Sequence, residues 1–197
     1  MPPDIHLNRP DIPLNRKTPG VAVIPFGQAP DTAAKVIAAH ISGYLNMTAE
    51  ILPAMPLPPQ ALDGGRLQYN AALLIDALEK ADRIDAFKII ALFDVDLFTP
   101  LFTHVFGEAR QNGRVAVISL YRLATPTDGM CPPSGHVLER VAKIALHELG
   151  HLLNLLHCAD PHCLMHFSDT PDRLDRTPLN FCRYCRRSLH RSLAAWS

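Results

Sequence analysis

The sequence predicts an α/β domain in which a β-sheet is layered with helices. Three observations support this fold class. Strand-like runs alternate with helix-like segments along the chain, one run is apolar throughout and suits a strand covered on both faces, and a hydrophobic content of 48% is enough for a core. At 197 residues the chain suits one domain, or one domain with a small appendage.

Short runs of β-branched and other apolar residues predict the strands. The run from Ile89 to Phe93 is the apolar one, and the pair Asn112-Gly113 is a turn signal that suggests a hairpin. The predicted strands span residues 21–26, 49–52, 87–94, 103–106 and 115–120. The order of strands in a sheet is not visible in a sequence. The run at 115–120 is therefore either an internal strand or an exposed edge that accepts an extended peptide.

Apolar residues at helical spacing predict three helices. The first covers 31–45, with Asp31 as its N-cap, and the second covers 68–81. The third, over 134–154, is long and carries two histidines. Five prolines within residues 1–20 predict an irregular or extended N-terminal arm.

Charge and hydropathy exclude several classes of partner. The formal net charge is zero and only 19% of residues are charged, so nothing points to a nucleic acid or an acidic membrane surface. No apolar run reaches membrane-spanning length, and the N-terminus lacks the basic start and apolar core of a signal peptide. We therefore expect a cytoplasmic protein. The oligomeric state stays open.

The most informative motif is H-E-x-x-H followed, six residues after its second histidine, by His157. On a helix His147 and His151 lie one turn apart on the same face, so both imidazoles can reach one metal ion. Glu148 lies beside that face, where it can hold a water molecule and take its proton. His157 can join them if the chain turns back near Asn154. Three neutral nitrogen ligands and an adjacent carboxylate are typical of a hydrolytic zinc site.

Other residues after the helix compete for the place of third ligand. These are Asp160, His162 and His166. A helix that carries histidines by chance is the other alternative, but a random H-E-x-x-H is expected in roughly one such chain in a hundred.

Four of the five cysteines lie within the last 40 residues. Cys158 and Cys163 form one pair, and Cys182 and Cys185 form a second. Four thiolates can hold a closed, tetrahedral zinc ion that fastens a segment too short for its own core. Reduced buried thiols or two disulfides are the alternatives.

Two further expectations concern the flanks of these motifs. Cys131 stands outside both cysteine pairs and suits a buried spectator, although an inhibitory zinc thiolate is an alternative. Thr177-Pro178 suits the start of a C-terminal helix that carries Cys182 and Cys185.

Taken together, the stretch H-E-L-G-H-L-L-N-L-L-H-C, the following Cys163-Leu164-Met165 and the late C-x-x-C pair resemble the archaemetzincins, a family of metzincin zinc peptidases. The motifs cover about residues 134–185. The resemblance implies a metzincin-like twisted mixed sheet and a long active-site helix. It implies a catalytic part over 21–157 and a zinc-stapled C-terminal subdomain over 158–197.

The resemblance also assigns site residues. It implies one catalytic zinc ion on the three histidines with Glu148 as general base, and one structural zinc ion on the four cysteines. It implies that Met165 forms the tight turn beneath the metal site. Its substrates would be peptides or proteins.

The sequence departs from the family pattern in one residue and in the length of one spacer. Asn154 stands where glycine is expected, at a helix end that needs a left-handed backbone, and asparagine is the next most tolerant residue there. The 16 residues between Met165 and Cys182 are one fewer than expected, within a segment predicted as a loop.

The predicted reaction is peptide hydrolysis. A bound Zn²⁺ activates water and stabilises the developing oxyanion, and Glu148 moves the proton to the leaving amine. A zinc-binding peptide-binding or scaffold protein without turnover is the main alternative. A hydrolase of non-peptide amides would use the same residues.

Overall fold

The structure, a computed structural model, describes residues 20–80, 84–123 and 135–194. The strands in these residues are β1 (Gly20–Phe26), β2 (Thr48–Ile51), β3 (Leu62–Asp63), β4 (Gln68–Asn70), β5 (Lys88–Phe93), β6 (Leu97–Phe98), β7 (Gly107–Ala109) and β8 (Val115–Ser119). The helices are α1 (Asp31–Leu45), α2 (Ala71–Glu79), α3 (Gly135–Leu152), α4 (Pro171–Arg176) and α5 (Arg183–Ala194), with a 3₁₀ turn at Pro59–Ala61. The chain is therefore α/β, as predicted.

A five-stranded mixed sheet organises the molecule, in the order β2-β1-β5-β8-β7. Its first four strands are parallel, and β7 pairs antiparallel with β8 at one edge. Three short strands form a second sheet, in the order β3-β4-β6. Helix α3 packs against the edge strand β7 and against its neighbour β8.

Alternate strand residues enter two separate cores, since successive side chains point to opposite faces of a sheet. Val23 and Leu92 pack in the larger core with α1 and α3, whereas Ile24 and Ala91 pack in the smaller core with α2. Every residue of β5 is buried, and its residues from Ile89 to Phe93 form the apolar run. The two-sided cover predicted from the sequence is confirmed.

Several predicted elements match their observed bounds, and the differences have local causes. Residues 31–45 form α1 as predicted, but Pro30 occupies the N-cap and Asp31 is the first helical residue. The predicted helix over 68–81 is wrong at its start, because Gln68–Asn70 pair with neighbouring strands as β4. The Asn70 side chain then accepts hydrogen bonds from the Ala72 and Leu73 amides and starts α2.

The hairpin at Asn112-Gly113 is confirmed, with Asn112 at φ 56° between β7 and β8. The prediction of a strand over 103–106 is wrong. In that segment only Val105 pairs with another strand, through an isolated bridge, and the next strand is β7. The possibility that 115–120 forms an exposed edge is also wrong. Strand β8 lies inside the sheet between β5 and β7, and β7 is the edge.

The C-terminal region contains a helix that periodicity did not reveal. Thr170 caps α4 and Pro171 opens it, within the segment predicted as a loop. Thr177 ends α4, so the prediction that Thr177-Pro178 starts the last helix is wrong. Helix α5 begins at Arg183, so that Cys182 precedes it and Cys185 lies in its first turn.

Some predictions fall on residues outside the described ranges. These are residues 1–19 of the predicted arm over 1–20, Cys131, and the start of the third helix at Ser134. None of the helices in the described part of the chain combines the length and the apolar character needed to span a membrane.

Candidate metal and catalytic centre

Helix α3 brings the first two histidines together. His147 and His151 are four residues apart, and their Nε2 atoms face each other at 3.1 Å. His147 is buried and His151 is partly buried. The predicted one-turn spacing on a single helix face is confirmed by this geometry.

A residue with a left-handed backbone conformation ends α3 and turns the chain back toward the two histidines. Asn154 has a φ of 68°, and the Leu155 amide donates back to the Gly150 carbonyl at 2.9 Å. The turn carries His157 back until the nitrogen atoms of all three imidazoles lie within 4.8 Å of one another. Asparagine tolerates this conformation better than other non-glycine residues, so the departure at this position leaves the turn in place.

The competing third ligands do not join this group. Within the described ranges, the histidine cluster that could hold an ion comprises His147, His151 and His157, without Asp160 or His162. The Nδ1 atom of His166 instead lies 3.0 Å from the Cys158 carbonyl.

Hydrogen bonds fix the tautomers of the two helical histidines. A carbonyl oxygen can only accept, so His147 Nδ1 donates to Leu164 O at 2.7 Å and His151 Nδ1 donates to Leu155 O at 2.8 Å. Each Nε2 is left unprotonated with its lone pair toward the centre of the cluster. Burial lowers the pKa of His147 to about 3 and also lowers the pKa of His151 and of His157, so these rings are neutral near pH 7.

This donor set fits a tetrahedral zinc ion. Zn–N bonds of about 2.0–2.1 Å at tetrahedral angles place two nitrogen atoms about 3.3 Å apart. The 3.1 Å between the Nε2 atoms of His147 and His151 is close to that spacing. Neutral imidazoles held by backbone carbonyls are typical zinc ligands.

Glu148 is buried beside the histidines, between α3 and β7. Burial raises its pKa well above the ordinary value, and the charge of Glu108 raises it further. A methyl group placed on Gly107 would lie 2.7 Å from both Cγ and Oε1 of Glu148. The absence of a side chain at Gly107 therefore makes the space in which this carboxyl group lies.

Met165 lies beneath α3, in the tight turn that leads away from the cluster. It is fully buried, and its carbonyl accepts from the Cys158 amide at 2.8 Å. A methyl group placed on Gly150 would lie 2.5 Å from its sulfur atom. The methionine thus packs directly against the helix that carries His147 and His151.

The four predicted cysteines also come together, with their sulfur atoms within 4.8 Å of one another. Cys158 Sγ and Cys182 Sγ are 3.9 Å apart, which is far longer than a disulfide bond, and all four thiols are free. Zn–S bonds of about 2.3 Å in a tetrahedron imply an S–S distance of about 3.8 Å. The Cys182 amide donates to Cys163 Sγ at 3.3 Å, and burial raises the pKa of the Cys163 thiol.

A cleft with a cavity of about 620 Å³ opens over the histidine cluster. The edge strand β7 and the loop before it form one wall. Helix α3 and residues 164–177 form the other. Strand β7 and Gly107 were missed by sequence reasoning, because three residues reading Gly-Glu-Ala have no strand pattern of their own.

The sequence also matches proteins of one known family. Residues 59–191 match the profile of peptidase family M54. The archaemetzincin of Methanopyrus kandleri is 38% identical over 154 residues, which cover 78% of this chain and 84% of that protein. The archaemetzincin of Halobacterium salinarum is 36% identical over 172 residues, covering 86% of this chain and 98% of that protein.

Solved structures show the same fold. The crystal structure of the Methanopyrus kandleri archaemetzincin superposes with a TM-score of 0.80 at 33% identity, over 93% of this chain and 99% of that one. A structure described as a zinc-dependent peptidase from Methanocorpusculum labreanum superposes with a TM-score of 0.75 at 27% identity, over 86% of this chain and 99% of that one.

Proposed function

This chain belongs to peptidase family M54, the archaemetzincins, and from that membership we propose that it is a zinc peptidase in which His147, His151 and His157 hold the catalytic ion and Glu148 is the general base. The chain is a metallopeptidase by family, and peptides are its substrates. The observation that carries the residue roles is the convergence of three neutral imidazoles beside a buried carboxyl group in one cleft.

A zinc ion bound here would polarise the scissile carbonyl and favour deprotonation of the attacking water. Burial alone favours the protonated form of Glu148, and the positive charge of a zinc ion bound nearby would favour the carboxylate instead. In that ionised form the carboxyl group accepts the proton and returns it to the leaving amine. Glu148 lines the same cavity as the three histidines, in which the attacking water would lie. The carbonyl groups of Leu155 and Leu164 keep the imidazoles oriented while the charge at the centre changes.

The edge strand β7 supplies backbone groups for the substrate. Phe106 O accepts from the Ser119 amide, so in the antiparallel ladder Gly107 and Ala109 turn their N–H and C=O groups away from β8. These groups face the cleft, which has β7 as one wall. A peptide added as an extended strand would pair with them and lie across the histidine cluster.

The same proposal assigns a second, structural ion to Cys158, Cys163, Cys182 and Cys185. Four thiolates fill a tetrahedral site completely, so this ion would do no chemistry and would fasten the C-terminal region. In this assignment residues 21–157 form the catalytic part of the chain and 158–197 form a subdomain held by that ion. The free thiols and the 3.9 Å between two sulfur atoms support it.

The test of the general base is Glu148→Gln in the zinc-loaded protein. Loss of peptide hydrolysis with unchanged zinc content is the expected result, because glutamine keeps the shape and cannot take a proton. A peptide library digested by wild type, and protected by a chelator, also separates a peptidase from a peptide-binding scaffold. Full activity of Glu148→Gln would remove this residue from its role.

Zinc stoichiometry tests the two-ion assignment. Wild type should contain two ions per chain, and His147→Ala should retain only the ion of the cysteine site. Cys163→Ser, which removes the most buried of the four thiols, should instead lose the structural ion and lower the melting temperature. Two ions in the His147→Ala protein would contradict the assignment.

A further inference from the structure

Two partly exposed aromatic side chains meet at the wall of the cleft. Phe102 lies in the loop between β6 and β7, and Phe167 follows Met165 by two residues. Their ring centroids are 6.2 Å apart with the planes tilted by 35°. The Phe167 ring also lies 5.3 Å from the ring of His157. The aromatic pair, Phe102 and Phe167, is therefore next to the proposed reaction centre.

The loop that carries Phe102 is held by its own hydrogen bonds. The Phe102 amide donates to Thr99 O and Thr99 Oγ1, both at 3.2 Å, and the Thr99 amide donates to Phe102 O at 3.3 Å. Behind this turn the Gln68 side chain donates to Thr103 O at 2.9 Å. The ring is thus presented on a fixed turn, as preorganised recognition requires.

The aromatic pair keeps much of its apolar surface open. Phe102 is 50% exposed and Phe167 is 42% exposed, and both line the cavity over the histidines. Single exposed apolar residues are ordinary, but here two large rings touch each other inside a cleft. Apolar surface placed this way is stabilised when a ligand side chain covers it, and aromatic rings at such spacing favour another ring.

The direction of β7 indicates which part of a peptide reaches the pair. The strand runs from Gly107 to Ala109, and the loop with Phe102 joins its N-terminal end. A peptide paired antiparallel with β7 runs the opposite way, so its C-terminal part points toward that loop. Glu148 packs against Gly107, so the bond to be cleaved lies near this residue. The aromatic pair then meets residues that follow the scissile bond.

We propose that Phe102 and Phe167 are specificity-determining residues that receive an aromatic or large aliphatic side chain on the C-terminal side of the cleaved bond. The preferred substrates would then be peptides with phenylalanine, tyrosine or leucine in that part of the sequence. This inference rests on the proposed peptidase function.

The experiment uses full-length, zinc-loaded protein and begins with a peptide library whose cleavage sites are read by mass spectrometry. One cleaved peptide is then made with Phe, Leu, Ala or Gly directly after the scissile bond. Phe102→Ala should lower kcat/KM for the Phe peptide by about tenfold or more, because losing one apolar contact between enzyme and substrate side chain changes kcat/KM by at least that factor. The Gly peptide should change by less than about twofold.

Control variants test whether the effect of Phe102→Ala comes from loss of its aromatic ring. Leu101→Ala is the matched variant, since Leu101 neighbours Phe102, is 88% exposed and does not line the cavity. It should leave kcat/KM unchanged on every peptide. Phe102→Leu should keep most of the preference. Phe167→Ala should act like Phe102→Ala, with zinc content measured because Phe167 contacts the ring of His157.

The outcomes separate this inference from the peptidase assignment. Cleavage with no preference at the following position, or a preference that persists in Phe102→Ala and Phe167→Ala, overturns the specificity role and leaves the peptidase function standing. An equal loss on the Phe and Gly peptides also overturns it. If zinc-loaded wild type cleaves no peptide in the library, the proposed function itself fails and this inference fails with it.

Discussion

Replacing Gly107 by alanine should slow peptide hydrolysis without removing zinc. A methyl group on Gly107 would lie 2.7 Å from Cγ and Oε1 of Glu148 and 2.9 Å from its Cδ. Ordinary van der Waals contact begins near 3.4 Å, so the carboxyl group or the strand must move by about 0.7 Å. Glu148 is buried, so the carboxyl group has no open solvent into which it can retreat.

The size of the effect follows from this displacement. A misplacement of about 1 Å at a reacting group costs on the order of 100-fold in rate. We therefore expect kcat of Gly107→Ala to fall roughly 10- to 100-fold with KM nearly unchanged. The crowding should cost about 1–2 kcal/mol of folding free energy, since it overpacks a buried contact.

The assay compares kcat, KM, zinc content and melting temperature of Gly107→Ala with those of wild type and Gly43→Ala. Gly43 is the matched control, because a methyl group there would meet no atom within 4 Å. Gly43→Ala should behave as wild type in turnover. A Gly107→Ala protein with full kcat would refute the idea that the empty space at this glycine positions Glu148. Loss of zinc together with activity would refute it as well.

Three further changes test other parts of the structure. Gly150→Ala puts a methyl group 2.5 Å from the Met165 sulfur and should destabilise the protein by about 1–3 kcal/mol in chemical denaturation, with partial rescue by the added change Met165→Ala. Asn154→Ala should cost about 1 kcal/mol at φ 68° and weaken zinc binding in a competition titration, whereas Asn154→Gly should bind zinc at least as well as wild type. Burial alone would raise the pKa of Asp96, but hydrogen bonds from Arg122 and the neighbouring glutamine outweigh it and lower the pKa. Its contribution to stability is then present above its unfolded pKa of about 3.9 and is lost as the pH falls through the folded pKa. Asp96→Asn should therefore be less stable than wild type at pH 7, and the difference should shrink as the pH is lowered below about 3.9.

The elements that the sequence predicted well are those whose pattern is repeated over many residues. In α1 the buried positions recur at helical spacing, and in β5 every residue is buried, so composition and period both carry the signal. The histidine cluster was predictable for a related reason. Its three ring donors lie within eleven residues, on one helix and the turn that follows. The geometry of the helix and of the turn after it is therefore almost enough to bring the three rings together.

The opposite wall of the cleft depends on contacts that no local pattern contains. Strand β7 has three half-buried residues and exists because it pairs with β8 across the Asn112 turn. Gly107 lies some 40 residues before Glu148 in the chain, and only their contact in the fold gives this glycine a role. Phe102 likewise meets Phe167 across 65 positions. For this reason sequence reasoning predicted the histidine cluster and missed the β7 wall of the cleft.

The two walls are nevertheless joined where α3 ends. The Asn112 amide donates to the His151 carbonyl at 2.9 Å, and the Gln111 side chain donates to Asn154 Oδ1 at 3.1 Å. The hairpin that ends β7 thus rests on the same turn that returns His157 to the cluster. Asparagine at this turn supplies both a left-handed backbone and an acceptor for Gln111, and glycine would supply only the first. The β7 wall of the cleft and the turn that places the third imidazole are therefore held together by two hydrogen bonds in this chain.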